Sequence, residues 1–356
     1  LPFLLLAMML LAVGLIMLLS ASFPSAQSSA NLKNDALYYF KRQTAFAGLG
    51  VFVMWWVSKI NYERFRGLAR LALAGSIFLL ILVIIPGPNK YGRLLALGEN
   101  GAARWLGFPG TSFTFQPSEV AKLGLIVYFA ESISQKREKM KSFKEGFLPH
   151  IILLVVMTVL TLIEPHFSGA LLILGIGAAM MVVGGIHWGW VAAGSGALGL
   201  MGYLLYFTEI IDKFFHAINY NATRLQVWRD PFGGDLAFRR DDAWQTIQSL
   251  YAIGSGGLLG VGLGKSRQKF GYLPEAQNDY IFAVVLEELG LIGGTLIMIL
   301  FAFLIIRGFW LAIHARDRFG SLLIVGVTTQ IALQTFLNIA VVTNFMPSTG
   351  ISLPFF

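Results

Sequence analysis

Residues 260–290 combine side chains that could bind an anion with one that could remove a proton. Lys265, Arg267 and Lys269 lie in a glycine-rich loop, and Asp279 follows at the start of an apolar segment. Lysine and arginine hold phosphate groups through charge-assisted hydrogen bonds. A carboxylate within reach of a hydroxyl group can act as its general base. The stretch therefore predicts a candidate general base at the point where a cationic loop meets an apolar segment.

Asp279 lies at or near the N-terminus of a predicted helix. A helix N-terminus lowers the pKa of a carboxyl group, whereas burial raises it. Because the two effects oppose each other, we expect a base that is ionised at neutral pH. The alternative is that Asp279 only caps the helix or ends the membrane segment.

Two further carboxylates, Glu287 and Glu288, lie inside the same apolar segment. At 1.5 Å per residue they are about 12–13 Å deeper along a helix than Asp279. A charged side chain inside a membrane costs roughly 2.5–3.5 kcal/mol on insertion scales, so its presence needs a cause. We expect these two residues to serve internal hydrogen bonding or helix packing rather than catalysis.

A second candidate site is the segment QPSEVAK at residues 116–122. Pro117 is suited to the first turn of a helix. Glu119 and Lys122 are three residues apart, so they are neighbours on one helix face. The pair is either a salt bridge at a helix start or a site that holds a phosphate or a cation, and the spacing favours neither.

Two short loop segments add further polar residues. Arg104 and Trp105 are adjacent in GAARWLG, a combination that is common at the headgroup level of a membrane. Glu164 and His166 lie in EPHFSG, where proline and glycine predict a tight turn. These two could be ligands, but solvated turn residues are the favoured interpretation.

The composition indicates an integral membrane protein. Of 356 residues, 56% are hydrophobic and 13% are charged, compared with about 25% charged in a soluble domain. The absence of cysteine excludes disulfides, thiolate metal sites and a cysteine nucleophile. The net charge of +8 lies in loops between apolar segments, which favours contact with membrane lipids rather than nucleic acid. No nucleotide-binding motif is present, so no nucleotide cofactor is expected.

The apolar segments predict an all-α polytopic helical bundle. A helix needs about 20 apolar residues to cross the hydrocarbon core, and by that measure the chain contains nine spans. We expect only loops and interfacial helices between them, and a single domain that covers residues 1–356. The eighth is longer than one crossing requires, so we expect it to tilt or project beyond the bilayer. The approximate limits are 2–21, 43–60, 67–86, 117–134, 148–163, 168–185, 187–208, 278–311 and 318–343.

Lysine and arginine in the short loops predict the orientation. Basic clusters follow spans two, four and eight, which places those loops and the N-terminus in the cytoplasm. Loops 21–42, 87–116 and 209–277 then face outward, and the candidate residues collect on that side. The large extracellular loop 209–277 contains residues 241–251, which predict a short amphipathic helix at the outer interface, capped by Asp241.

Six ordered segments resemble the SEDS family of bacterial cell-wall proteins, which includes RodA, FtsW and SpoVE. The resemblance covers the whole chain and is greatest to the FtsW/SpoVE branch. The segments are GAARW, QPSEVAK, RDPFGG, GVGLGKSRQK, YLPEAQNDYIFAVVLEELG and FLNIAVVTNFMPSTGISLPF.

The resemblance implies a fold and an activity. Members are ten-span peptidoglycan glycosyltransferases of the bacterial cytoplasmic membrane that polymerise lipid II and work with a class B penicillin-binding transpeptidase. The tenth span would follow Phe356, and because the chain starts at Leu1 without methionine, we expect both ends to be trimmed. The process served, division, elongation or sporulation, stays open.

The resemblance also implies residue roles. Asp279 matches the family's catalytic base, Glu119 and Lys122 match its functional pair, and Arg104 belongs to its substrate-binding outer surface. The chain departs from the family at His166, where many relatives have aspartate, and at Asn278, where threonine is common. The departure at His166 puts any carboxylate role in that turn in doubt.

We hypothesise an inverting transfer at the outer membrane boundary. Lys122, Arg104, Trp105 and the loop cations would bind the substrate, together with a divalent cation such as Mg²⁺ or Mn²⁺. Asp279 would take the proton of the acceptor hydroxyl. Two alternatives from other classes are a lipid II flippase or transporter, and a non-catalytic scaffold of the division or elongation machinery.

Overall fold

The computed structural model describes residues 2–29, 34–85, 96–99, 102–107, 114–164, 166–207, 223–234, 236–241 and 243–356. Outer loops 87–116 and 209–277 of the sequence prediction fall partly outside these residues. Each predicted span falls on one helix. The helices are α1 Pro2–Ser28, α2 Tyr38–Ser58, α3 Glu63–Ile84, α4 Pro117–Lys136, α5 Leu148–Ile163, α6 Phe167–Val183, α7 Trp188–Phe207, α8 Thr223–Arg229, α9 Leu236–Arg240, α10 Trp244–Gly256, α11 Ile281–Ile313 and α12 Arg318–Val342.

Five helical segments of the described chain are long and apolar enough to cross a membrane. The nine membrane spans expected from the sequence therefore stay a prediction. The five segments are Pro2–Ser28, Glu63–Ile84, Phe143–Ile163, Ile281–Ile313 and Arg318–Val342.

A small antiparallel sheet lies between α3 and α4, where the sequence analysis expected only loop or interfacial helix. Its strands are β1 Ala96–Glu99, β2 Ala102–Gly107 and β3 Thr114–Phe115, in the order β1-β2-β3. Leu106 of β2 is buried against Val83 of α3 and Phe115 of β3. The expectation was wrong because strands this short carry too few alternating residues to register as a pattern.

The chain forms two compact units. The first contains Leu1–Asn61, Thr223–Gly308 and Gln334–Phe356, and the second contains Tyr62–Ala222 and Phe309–Leu333. The single domain expected from the sequence stays a prediction.

Close helix contacts build the core of the second unit. A Cβ at Gly124 of α4 would overlap Oγ of Ser76 on α3, so the two backbones approach closely there. Small residues permit such contacts between membrane helices. The Ser76 hydroxyl donates to its own helix at Ala72 O, 2.7 Å away, and stays satisfied inside the core. This packing holds the start of α4, which carries one of the two candidate sites.

The helix α10 in the first unit confirms the predicted amphipathic helix but not its cap. It starts at Trp244, with Ala243 at the cap position and no side-chain cap hydrogen bond. Asp241 lies outside the helix, and Ala243 and Ile247 at the start of the helix pack with Val227 on α8. Ser249 donates to Val342 O at 2.8 Å, so α10 is fixed to the end of α12.

The long helix α11 is broken at Gly290. This residue has φ 68° and ψ −173°, a conformation that is essentially restricted to glycine. The tilt or projection expected from the length of this segment stays a prediction. The break divides the segment into Ile281–Leu289, which is short, and residues 291–313, which are long enough for one crossing.

The glycine-rich loop after α10 supplies the hydrogen bonds that the break removes from α11. The N–H groups of Leu291 and Ile292 donate to the carbonyls of Gly257 and Leu258 at 2.9 and 3.1 Å. In return, the loop donates two N–H groups to carbonyls before the break. These bonds are Val261 N–H to Glu287 O at 2.9 Å and Gly262 N–H to Glu288 O at 3.0 Å. A break inside a membrane protein is tolerated when its backbone groups are satisfied in this way.

We predict that Gly290→Ala destabilises the protein by about 1–3 kcal/mol, because a Cβ would lie 2.5 Å from Leu258 O and the backbone angles suit only glycine. Thermal unfolding of the detergent-solubilised protein measures this. Gly254→Ala in α10 is the matched control, since its new methyl group meets nothing within 4 Å. Equal melting temperatures for both variants would contradict the prediction.

Candidate active site

Asp279 lies two residues before the first residue of α11, as the sequence predicts. Its side chain is half-buried, so the carboxylate is partly shielded and still reachable from outside the protein. Its backbone carbonyl accepts a hydrogen bond from Nδ2 of Asn338 on α12 at 2.8 Å. A Cβ at Gly350 would lie 3.0 Å from Oδ2 of Asp279, so residues after α12 border the carboxylate.

The three loop cations have two different environments. Lys265 and Arg267 are exposed, whereas Lys269 is buried. The Lys269 ammonium group is 2.8 Å from Oε1 of Glu288 and 2.9 Å from the Ser20 hydroxyl on α1. Lys269 is therefore engaged inside the protein, and only the other two present their charge on the surface.

Glu287 and Glu288 bind the loop through its backbone. Glu288 accepts from the N–H groups of Gly264 at 3.0 Å and Ser266 at 3.3 Å. Glu287 accepts from the N–H of Arg267 at 2.9 Å and from the Ser266 hydroxyl. Both carboxylates are almost fully buried. The expected internal hydrogen bonding of Glu287 and Glu288 is confirmed, and their partner is the glycine-rich loop.

The start of α4 in the second unit has the predicted geometry. Pro117 is its first residue, and Lys122 Nζ lies 2.8 Å from Glu119 Oε2. The exposed fraction is 1% for the Lys122 side chain and 50% for that of Glu119. The ammonium charge is therefore enclosed in the protein and offset by a carboxylate that faces outward.

His166 connects the starts of α4 and α6. Its Nδ1 is 3.1 Å from Nε2 of Gln116 and 3.0 Å from the Ser118 hydroxyl. Burial, with the charges of Arg104 and Lys122, lowers the pKa of His166 to about 3. The imidazole is therefore neutral at physiological pH, and the structure places it as a buried connector rather than as the solvated turn residue that the sequence favours.

Arg104 and Trp105 lie on β2. Trp105 pairs with Leu97 of β1 and Ala103 pairs with Gly98, so Arg104 is the extra residue of a β-bulge. Bulges redirect a side chain away from the regular alternation of a strand. The Arg104 charge acts on His166, which places the bulge near the start of α6. Glu164, in the same turn as His166, is buried.

The divalent cation expected from the sequence has no candidate site among the described residues. Among them, no three histidine, aspartate or glutamate side chains are grouped closely enough to hold a metal ion. Mg²⁺ and Mn²⁺ prefer oxygen ligands, and the buried carboxylates of Glu287 and Glu288 already bind the loop. The cation expected from the sequence stays a prediction, and no catalytic step is assigned to it.

The family model of FtsW, RodA and SpoVE, described as "Cell cycle protein", matches residues 2–356. The chain belongs to this family. Stage V sporulation protein E of Bacillus subtilis (strain 168) is 39% identical over 98% of this chain and 88% of its own length. "Probable peptidoglycan glycosyltransferase FtsW" of Geobacter sulfurreducens (strain DL-1 / KN400) is 40% identical over 99% and 88%. The resemblance stated from the sequence is confirmed.

Two solved structures share the fold of this chain. A chain of a peptidoglycan synthase complex that coordinates polymerization and crosslinking has a TM-score of 0.74 at 24% identity, over 99% of this chain and 90% of that chain. The rod shape determining protein RodA of Thermus thermophilus has a TM-score of 0.66 at 24% identity, over 99% and 88%. With its apolar helices, the chain is a multi-pass, mostly helical membrane protein.

Sequence reasoning missed three residues that hold the base and its loop. Asn338, Ser20 and Gly350 contact Asp279 or the Lys269–Glu288 pair. Asn338 carried a usable signal, because an amide inside an apolar span must find a partner. Ser20 and Gly350 carried none, since small residues are frequent in membrane helices and loops.

We predict that Lys269→Met destabilises the protein by about 3–5 kcal/mol, because it leaves the Glu288 carboxylate buried without its cation. Lys265→Met, in the same loop but exposed, is expected to change stability by less than about 0.5 kcal/mol. Thermal unfolding compares the two. Adding Glu288→Gln to Lys269→Met should recover part of the loss, and an unchanged melting temperature in Lys269→Met would contradict the buried ion pair.

The pKa of His166 predicts a pH dependence of stability. Below its ordinary value of 6.5 the unfolded chain takes up a proton, whereas the folded protein does not until about pH 3. The free energy of unfolding should therefore fall as pH decreases through this window. In His166→Gln, which does not titrate, the melting temperature should fall less over the same range. Parallel curves for both proteins would show that His166 titrates normally.

Proposed function

We propose that this protein is a peptidoglycan glycosyltransferase that joins the disaccharide units of lipid II into glycan strands at the outer face of the cytoplasmic membrane. Relatives at 39–40% identity support this, because they include a sporulation protein and proteins named as peptidoglycan glycosyltransferases. The orientation predicted from the basic loops supports the outer face.

The position of Asp279 carries the proposal. A general base needs a carboxylate that a substrate hydroxyl can reach and a backbone that holds it in place. Asp279 is half-buried, precedes the broken helix α11 and is fixed through its carbonyl by Asn338. No other carboxylate described in the first unit combines a shielded, reachable position with this support from α12.

The proposed reaction is an inverting displacement. Asp279 takes the proton from the 4-hydroxyl of the acceptor GlcNAc as that oxygen attacks C1 of the donor MurNAc. The bond between C1 and the diphosphate oxygen breaks on the opposite face, and its electron pair stays on that oxygen of the departing polyprenyl diphosphate. The α-linked phosphate becomes a β-1,4 bond without a covalent enzyme intermediate. Protonated Asp279 then releases its proton to solvent.

The exposed cations stabilise the departing diphosphate in this proposal. Lys265 and Arg267 present their charges on the loop that the buried glutamates hold in place. Preorganised charges of this kind are worth more in a transition state than mobile ones. We assign Lys269 to anchoring of the loop, because its ammonium group is already paired with Glu288.

In the second unit, we assign substrate binding to Glu119, Lys122, Arg104 and Trp105. Glu119 is half-exposed and could accept hydrogen bonds from sugar hydroxyls, while buried Lys122 sets its position and offsets its charge. Arg104 on the bulge adds a cation, and Trp105 adds an aromatic ring suited to the membrane boundary.

The expected partners follow from the activity. The substrate is lipid II, and the second enzyme is a class B penicillin-binding transpeptidase, which would crosslink the strands that this protein polymerises. The fold match to a peptidoglycan synthase complex that coordinates polymerization and crosslinking supports this pairing.

We predict that Asp279→Asn lowers the rate of glycan polymerisation at least about 100-fold, since the amide cannot accept the hydroxyl proton. The purified protein is incubated with lipid II, with and without the transpeptidase partner, and the strands are separated by length. Asp241→Asn, exposed and outside the helices, carries the same charge change and should polymerise normally. If both variants make glycan strands equally well, Asp279 is not the base. If the native protein makes no strands, a transport or scaffolding function is favoured.

A further inference from the structure

Asn338 is a buried amide in an otherwise apolar part of α12. Its exposed fraction is 1%. Its Nδ2 donates to two carbonyl oxygens, Asp279 O at 2.8 Å and Ile351 O at 2.7 Å. An amide nitrogen carries two hydrogens, so each carbonyl receives one. A single side chain thus connects the segment that carries Asp279 with the segment that follows α12.

The segment that follows α12, residues 344–352, is here called the strap. It borders the Asp279 carboxylate, since a Cβ at Gly350 would lie only 3.0 Å from Oδ2. Side chains elsewhere in the first unit bind other strap carbonyls. The bonds are Gln334 Nε2 to Ser352 O at 3.1 Å, Arg224 Nη1 to Ser348 O at 3.1 Å and Trp228 Nε1 to Phe345 O at 3.2 Å.

We propose that Asn338 is a positioning residue for Asp279. It sets the distance between the backbone of Asp279 and the strap that borders its carboxylate, and this fixes where the carboxylate oxygens lie. The inference rests on the proposed function, because a position matters only if Asp279 takes the proton. Asn338 itself touches no reacting atom.

The bonds of Asn338 differ from the other bonds of the strap in one respect. Gln334 lies one turn earlier on α12 and also binds a strap carbonyl, but it makes no bond to Asp279. Loss of Gln334 would loosen the strap alone. Loss of Asn338 would loosen the strap and also remove a hydrogen bond that holds the Asp279 backbone.

The positioning role has a kinetic signature that a purely structural role lacks. A displaced base slows the proton transfer but leaves substrate binding intact, so kcat falls while KM for lipid II stays the same. A shift of about 1 Å in a catalytic group costs on the order of 100-fold in rate. A general loosening of the fold would instead lower the melting temperature and the amount of active protein.

The experiment compares Asn338→Ala with Gln334→Ala in the polymerisation assay with lipid II. We expect kcat to fall at least about 10-fold in Asn338→Ala with KM within about 2-fold of the native value. Gln334→Ala should keep kcat within about 2-fold. Equal kcat values in the two variants, or a rise in KM that accounts for the whole loss in Asn338→Ala, would overturn the proposal.

Gly350→Ala keeps the inference testable if Asn338→Ala does not fold. The new methyl group would lie 3.0 Å from Oδ2 of Asp279, while both bonds of Asn338 stay in place. We expect a lower kcat with an unchanged melting temperature, and a native kcat would overturn the proposal. Asp279→Asn in the same assay distinguishes failure of the proposed function from failure of the positioning role. If Asp279→Asn polymerises normally, the proposed function fails. If Asp279→Asn is inactive while Asn338→Ala and Gly350→Ala are unaffected, only the positioning role is removed.

Discussion

The closure of the helix break at Gly290 is the constraint on which the candidate site depends. A break inside an apolar helix exposes N–H and C=O groups that lipid cannot satisfy. The glycine-rich loop after α10 supplies partners on both sides of the break, at Glu287 and Glu288 before it and at Leu291 and Ile292 after it. The loop can approach so closely because Gly260 and Gly290 lack a Cβ. Asp279 lies two residues before this helix, so its backbone leads directly into the segment that the loop holds.

The charged side chains of the glycine-rich loop and its two glutamate partners divide into two groups with different roles. Glu287, Glu288 and Lys269 are buried and hold the loop to the helix. Lys265 and Arg267 lie on the same loop and stay exposed. A buried ion pair adds little net stability beyond a well-packed apolar alternative, but it penalises any arrangement that separates its partners. The buried group therefore specifies the loop conformation, and that conformation determines where the two exposed cations lie.

The sequence predicts the helices well and their connections poorly, for physical reasons. Apolar length locates the nine long helices, although α1 continues seven residues beyond its predicted end, and it gives no sign of the short helices α8 and α9. Spacing alone pairs Glu119 with Lys122. Contacts between distant residues leave no such periodic signal. Lys269 pairs with Glu288, which is 19 positions later in the chain. The sequence therefore does not show which loop cations hold the loop in place and which are free to bind a substrate. The break at Gly290 is equally hidden, because glycine is frequent in unbroken membrane helices.

The most direct test of this account is amide hydrogen exchange on the native protein in detergent. Val261, Gly262, Leu291 and Ile292 donate the N–H groups that close the helix break. The account predicts that these amides exchange as slowly as those in the middle of α11, because they belong to one cooperative unit. Exchange as fast as in an exposed turn would show that the loop is not fixed to the helix and would contradict the account.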